Sequence, residues 1–156
     1  MDIPFHPMIV HFPIALLITS VLFELLGRAL HKDSLRESAL WLLGLGLGSG
    51  VAAYLSGKQA EEAAEHMGIP EALVETHETL ALITLIIFGI LFLFRYLQRN
   101  NLSDQVLGMY LLIAVVGIGT LAAASHDGGK LVYGHGAGVQ LEHPRPLEQD
   151  HDDHED

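Results

Sequence analysis

Four long apolar runs follow one another along the chain, separated by short polar connections. They cover about residues 10–30, 39–57, 77–97 and 105–125. The first, third and fourth runs have about 21 residues, so as helices they span roughly 31 Å, close to the ~30 Å hydrocarbon core of a bilayer. The second run is shorter and rich in glycine. We therefore predict an all-α protein, an integral membrane four-helix bundle with up-down-up-down topology.

The four runs and the segment after them are predicted to form one transmembrane domain over residues 1–141. Segment 127–140 contains too much glycine for a helix and is too apolar for a free tail, so we expect it to turn at Gly128-Gly129 and fold back over the bundle. Residues 142–156 are acidic and contain several histidines, which is typical of a disordered tail. The first residues carry no positive charge, so no cleavable signal peptide is expected.

Lysine and arginine are distributed unevenly between the two sides of the predicted bundle. The connections after the first and third runs contain Arg28, Lys32, Arg36, Arg95 and Arg99, whereas the other side contains Lys58, Lys130 and Arg145 among many acidic residues. Because cytoplasmic connections carry the excess of positive charge, both termini are predicted to lie outside. In a bacterial-type cell this describes a multi-pass protein of the inner (cytoplasmic) membrane, with its termini on the periplasmic side.

Composition excludes several classes of site. The chain has no cysteine, which excludes disulfides, iron–sulfur clusters and covalently attached c-type haem. Its formal net charge of −11 argues against nucleic acid as a partner. Within the first run, Glu24 and Arg28 are spaced as neighbours on a helix, which predicts a snorkelling ion pair or, alternatively, a carboxylate on a proton path.

Five histidines are predicted to share one layer at the outer face of the membrane. These are His6, His11, His77, His126 and His135. With the N-terminus outside, the first and third runs begin outside and the fourth ends there, and the fold-back segment brings the last histidine to the same level. A single histidine at a membrane boundary is often only a hydrogen-bond partner, but five at one depth indicate a binding site.

Haem b is the first cofactor that this layer suggests, as one or two non-covalently bound groups. Haem iron takes axial histidines that facing helices of a bundle present, and His11 and His77 are the preferred axial pair. The small residues of the second and fourth runs would make room for the ring. The predicted function is a b-type cytochrome that carries electrons near the outer membrane face, an electron-transfer protein rather than a stand-alone enzyme.

The predicted partners follow from this surface and this location. The acidic outer side suits a basic soluble c-type cytochrome through electrostatic steering, and a membrane quinone is the other candidate redox partner. Lipid surrounds the bundle, and a homo-oligomer is possible.

Two alternatives use the same histidines differently. They could bind a copper or zinc ion directly, with Glu75, Glu78 and Asp127 nearby to complete or orient the shell. The chain could also be a cofactor-free subunit of a respiratory complex, in which the histidines only form hydrogen bonds.

Three motifs of the chain resemble one known family. They are His6-Pro7-x-x-Val10-His11-Phe12-Pro13-Ile14-Ala15-Leu16, the isolated His77, and Gly128-Gly129-x-Leu131-Val132-Tyr133-x-His135-Gly136-x-Gly138-Val139. Together they resemble the predicted four-helix membrane family catalogued as domain of unknown function 2231, over about residues 5–140. The resemblance implies a topology more than an activity, and a respiratory or redox role is suspected for its members. His6, His11, His77 and His135 match the family's histidine pattern, and His126 looks like a variable addition.

Overall fold

The computed structural model describes residues 5–98 and 104–137 of the chain. Its helices are α1 (Phe5–Ile9), α2 (His11–Ala29), α3 (Asp33–His66), α4 (Glu71–Leu97) and α5 (Asp104–Gly129), followed by a π-helical turn (Lys130–Gly134). The described residues contain no strand, which confirms the all-α prediction.

Four segments are long and apolar enough to cross a membrane. They are His6–Ala29, Asp33–Glu61, Glu71–Leu97 and Gln105–Gly134. Large apolar side chains such as Leu22, Trp41 and Ile90 are exposed on the outside of these helices, where lipid would surround them. A multi-pass membrane protein is thus supported, while the complete up-down-up-down order, the side on which the termini lie and the domain boundary at residue 141 stay predictions.

Proline interrupts the first span near its beginning. Pro13 has no backbone N–H to donate to the carbonyl of Ile9, which weakens the helix one turn earlier. The helix is interrupted at Val10, whose backbone nevertheless keeps helical angles (φ −58°, ψ −25°). The short helix α1, which carries His6, therefore precedes α2 as a separate element and packs against α3.

The core lies where the four long helices meet. It contains Leu17 and Val21 of α2, Leu43 of α3, Phe88 and Leu91 of α4, and Leu107, Tyr110, Ala114 and Leu121 of α5. Helix α2 packs mainly on α3, and α4 packs mainly on α5, so the chain folds as two adjacent helical hairpins. We call α1–α3 the first hairpin and α4–α5 the second hairpin.

A turn at Gly68 joins the two hairpins. Gly68 has φ +72°, a left-handed conformation that glycine adopts without strain and that commonly ends a helix. Pro70 then precedes the first residue of α4. Helix α3 is longer than the apolar run 39–57, because the polar residues that follow the run continue the same helix up to His66.

The glycine-rich segment after the fourth run is helical, so the turn expected at Gly128-Gly129 was wrong. Helix α5 continues through both glycines, and the π-helical turn follows directly. Gly128 serves close packing instead, because a Cβ atom there would lie 3.0 Å from Cε1 of His77. The end of the predicted fold-back segment and the acidic tail 142–156 lie outside the described residues.

Candidate functional site

His6 is anchored by its Nδ1 atom to the end of α3. Nδ1 lies 2.9 Å from the carbonyl oxygen of Ala53 and 3.0 Å from Oγ of Ser56. A carbonyl can only accept, so Nδ1 donates its proton and the neutral ring keeps its lone pair on Nε2. The ring lies close to the α3 backbone because residue 57 is glycine: a Cβ atom there would be 3.0 Å from Cε1 of His6.

His77, near the start of α4, is anchored in the same way to the end of α5. Its Nδ1 atom donates to the carbonyl oxygen of Ala124 at 2.9 Å, which again leaves the lone pair on Nε2. The ring lies against Gly128, just as the His6 ring lies against Gly57. Both rings are half-buried.

The two anchored imidazoles contact each other across the hairpins. Their ring centroids are 6.2 Å apart and their planes are inclined by 86°. Histidines that bind a metal usually donate their other ring N–H to a carbonyl or carboxylate, and both rings do this here. A metal between two imidazole nitrogens at about 2.0–2.1 Å from each would hold the centroids roughly 6 Å apart, which matches the observed spacing.

An ion pair lies beside the histidines and also joins the two hairpins. Lys58, which follows Gly57, donates to Oε2 of Glu78 at 2.6 Å and to Glu61 at 3.2 Å. The other oxygen of Glu78, Oε1, is buried and has no hydrogen-bond partner among the residues that the structure describes. Glu78, the residue after His77, thus has a carboxylate oxygen that could still accept a hydrogen bond.

His11 is not part of this pair. Its Nδ1 atom is 2.9 Å from the carbonyl oxygen of Pro7, one turn earlier, and its side chain is exposed. Five residues along a helix correspond to a rotation of about 140° beyond a full turn, so His6 and His11 face different directions. The structure therefore brings His6, and not His11, against His77.

His126 and His135 line a different feature, an open groove of about 720 Å³ beside the π-helical turn. Nδ1 of His135 is 3.3 Å from the carbonyl oxygen of Lys130, and both histidines are exposed. Within residues 5–98 and 104–137, no group of three or more histidine, aspartate or glutamate side chains could hold a metal ion together. The five predicted ligands thus lie in three places. His6 and His77 form a close pair, His126 and His135 line the groove, and His11 lies apart from both.

A buried ion cluster at the opposite end of the bundle was not predicted from the sequence. Nε of Arg95 donates to Oε2 of Glu24 at 2.9 Å, and these two side chains are only 4% and 1% exposed. Nε of Arg36 lies 3.7 Å from the other oxygen of Glu24. The available signal was the presence of opposite charges near the C-terminal ends of the first and third apolar runs, but the i,i+4 spacing favoured Arg28 as the partner.

The class of protein follows from these features: a multi-helix membrane protein with a histidine pair at one end of its bundle and a buried ion pair at the other. Residues 2–141 match the model of the family DUF2231, described as a predicted membrane protein, and the chain belongs to this family. The match confirms the resemblance inferred from the sequence motifs. The chain matches no curated protein and no solved structure.

Proposed function

We propose that this protein holds one metal centre between His6 and His77 and carries electrons through it as a membrane b-type cytochrome. One observation carries the proposal: two imidazoles from different hairpins lie 6.2 Å apart, and each donates its Nδ1–H to a backbone carbonyl. Both Nε2 atoms are therefore available as ligands without any change of tautomer.

The number of protein ligands favours haem over a bare ion. Zinc in a structural site takes four protein ligands and in a catalytic site three, but the described residues offer only a pair of imidazoles. Haem iron needs only two axial ligands, because the porphyrin supplies the other four nitrogens. Each imidazole would bind through one nitrogen and can rotate about that bond, so the inclination of the two planes by 86° is compatible with His6 and His77 holding the group.

The protein's own contribution would be to fix the axial ligands. The carbonyl oxygens of Ala53 and Ala124 orient the rings, and Gly57 and Gly128 let the rings approach the helices. When bound, the haem iron would supply a reversible one-electron change. In this proposal there is one haem rather than two, and His11, His126 and His135 are not its ligands.

The position in the cell completes the proposal. The excess of basic residues in the connections after α2 and α4 supports a bundle of alternating direction with both termini on the periplasmic side. The site would then face the periplasm, within reach of a soluble c-type cytochrome or a membrane quinone. Acidic residues near it, such as Glu61 and Glu75, suit a basic soluble partner.

Absorption spectra of detergent-purified protein from haem-replete cells test this proposal. A Soret band with sharp α and β bands after reduction by dithionite is expected for the full chain. His6→Ala and His77→Ala should each abolish these bands, whereas His11→Ala, the matched control on the same span, should retain them.

Other results would contradict the proposal in distinct ways. A colourless preparation that contains about one copper or zinc per chain would show that a bare ion occupies the pair. A preparation without haem or metal would show that the histidines only form hydrogen bonds, as expected for a cofactor-free subunit. Full haem content in both His6→Ala and His77→Ala would place the ligands elsewhere.

A further inference from the structure

The first and second hairpins contain the same histidine contact at equivalent positions. His6 bonds the carbonyl oxygen of Ala53, and His77 bonds that of Ala124; both contacts measure 2.9 Å and join residues 47 positions apart. Each residue of the second contact lies 71 positions after its counterpart in the first. The glycines under the two rings, Gly57 and Gly128, differ by this same offset and approach their histidines equally closely.

The same offset relates contacts in the middle of the bundle. A Cβ atom at Gly46 would lie 2.9 Å from Leu17, and one at Gly117 would lie 3.0 Å from Phe88. One turn further, the hydroxyl group of Ser49 donates to the Gly46 carbonyl, and that of Thr120 donates to the Gly117 carbonyl. The helices of each hairpin therefore cross at equivalent points.

Burial follows the offset even where the residue types differ. Equivalent buried positions of different type include Pro13 and Thr84, Ser20 and Leu91, and Leu43 and Ala114. The repeated feature is thus the backbone arrangement of a helical hairpin, on which the side chains have diverged.

Two pairs of equivalent residues contact each other directly. His6 touches His77 at one end of the bundle, and Glu24 bonds Arg95 at the other, 71 residues apart. A residue can touch its own equivalent only near a twofold axis that relates the two units. The two pairs therefore mark an approximate twofold axis along the length of the bundle.

We infer that the chain is a tandem repeat of two helical hairpins, and that the Glu24–Arg95 ion pair specifies the association of one hairpin with the other kind. Two first hairpins would bring Glu24 against Glu24, and two second hairpins would bring Arg95 against Arg95. Like charges buried in contact are strongly unfavourable, whereas the unlike hairpins form a charge-assisted hydrogen bond.

The surface of the first hairpin that contains Glu24 thus fits a partner hairpin with a cation at the position of Arg95. A buried ion pair is weak evidence for stability, and its best-attested role is to select one arrangement among several. The selected arrangement also brings His6 to His77 at the other end, so Glu24 and Arg95 act as positioning residues for the histidine pair. The inference does not depend on what the histidines bind.

The test uses the full chain with a protease site inserted in the turn at Gly68. After purification in detergent the turn is cleaved, and two preparations whose first hairpins carry different tags are mixed and incubated. In the unchanged sequence, each tagged first hairpin should co-purify with second hairpins only. In Glu24→Leu/Arg95→Met, which removes both charges, first hairpins should also pair with each other, approaching the share expected for random association.

Two further variants complete the test. The exchange variant Glu24→Arg/Arg95→Glu swaps the two charges between the hairpins. It keeps opposite charges on the axis and should restore strict pairing of unlike hairpins. The control Lys58→Gln/Glu78→Gln removes an ion pair that also joins the two hairpins but lies near the surface, and should leave the pairing unchanged. Strict pairing in Glu24→Leu/Arg95→Met, random pairing in the exchange variant, or failure of the charge-free variant to fold would each overturn the inference.

Discussion

The two ends of the bundle axis differ in what the repeated hairpins place there. At one end the equivalent residues are identical, His6 and His77, and both keep a lone pair after bonding the backbone. At the other end they are opposite, Glu24 and Arg95, and they form a buried ion pair through one hydrogen bond. Equivalent positions can thus form a pair of like side chains at one end of the axis and a pair of unlike side chains at the other, and only the unlike pair distinguishes the two hairpins.

Breaking the charged end of the axis should have the largest effect. Glu24→Leu leaves Arg95 buried without its carboxylate partner, and removal of one member of a buried pair costs about 3–5 kcal/mol. Detergent-based unfolding followed by helical circular dichroism would measure this loss. Adding Arg95→Met to Glu24→Leu should recover most of the stability, because the buried guanidinium is removed and Arg36, the other cation beside Glu24, keeps its ion pair with Asp33.

A loss of stability below about 1 kcal/mol for Glu24→Leu alone, the size measured for exposed ion pairs, would contradict the burial of this contact. The result would then indicate that water reaches the pair from the connection between α2 and α3.

The histidine end should respond less, and equally in both hairpins. Gly57→Ala and Gly128→Ala each place a methyl group 3.0 Å from an imidazole carbon, and such overpacking typically costs about 1–3 kcal/mol. The same unfolding measurement would report both losses. The matched controls are Gly48→Ala and Gly119→Ala, which also differ by the repeat offset and meet no atom within 4 Å.

These controls should be neutral or more stable by up to about 1 kcal/mol, since alanine favours a helix interior over glycine. Tolerance of the change at residue 57 but not at residue 128, or the reverse, would show that the two histidine contacts are not equivalent.

The helical spans could be predicted from the sequence because the bilayer fixes the length of an apolar run. A run such as 77–97 is stable in lipid only as a helix, since every backbone group must be hydrogen-bonded within the helix. The ends of the helices were predicted less well. Beyond the apolar run, the glycines at 128 and 129 suggested a turn, but packing against His77 keeps them in the helix.

The arrangement of the histidines was predicted only in part. Topology places His6 and His77 at one end of the bundle, but the depth of a residue says nothing about the direction in which it faces. To choose correctly between His6 and His11 as the partner of His77, one must know how α1 is rotated relative to α4, and this rotation depends on packing between helices. Prediction of the Glu24–Arg95 pair requires the same kind of information about how the helices are rotated.

The repeat itself left a sequence signal that the apolar pattern concealed. Segment 46–53 reads Gly-Leu-Gly-Ser-Gly-Val-Ala-Ala, and segment 117–124 reads Gly-Ile-Gly-Thr-Leu-Ala-Ala-Ala. Some of the small residues that coincide, such as Gly46 and Gly117, lie where helices approach closely. Comparison of the chain with itself would have found this match, whereas a search for membrane spans treats both segments as ordinary apolar runs.

The smallest expected effect concerns a position between the two ends where the hairpins have diverged. Oγ1 of Thr84 lies 2.9 Å from Oγ1 of Thr120 and 2.8 Å from the carbonyl oxygen of Leu80 in its own helix, whereas its equivalent in the first hairpin is Pro13. Thr84→Val keeps the shape and removes this polar contact between helices, and hydrogen bonds between helices in membrane proteins contribute about 0.6 kcal/mol on average, so the loss should not exceed that size. Thr76→Val, an exposed threonine that bonds only its own helix, serves as the control for the same unfolding measurement. A loss as large as that of Glu24→Leu would show that the middle of the axis, and not its charged end, holds the two hairpins in their arrangement.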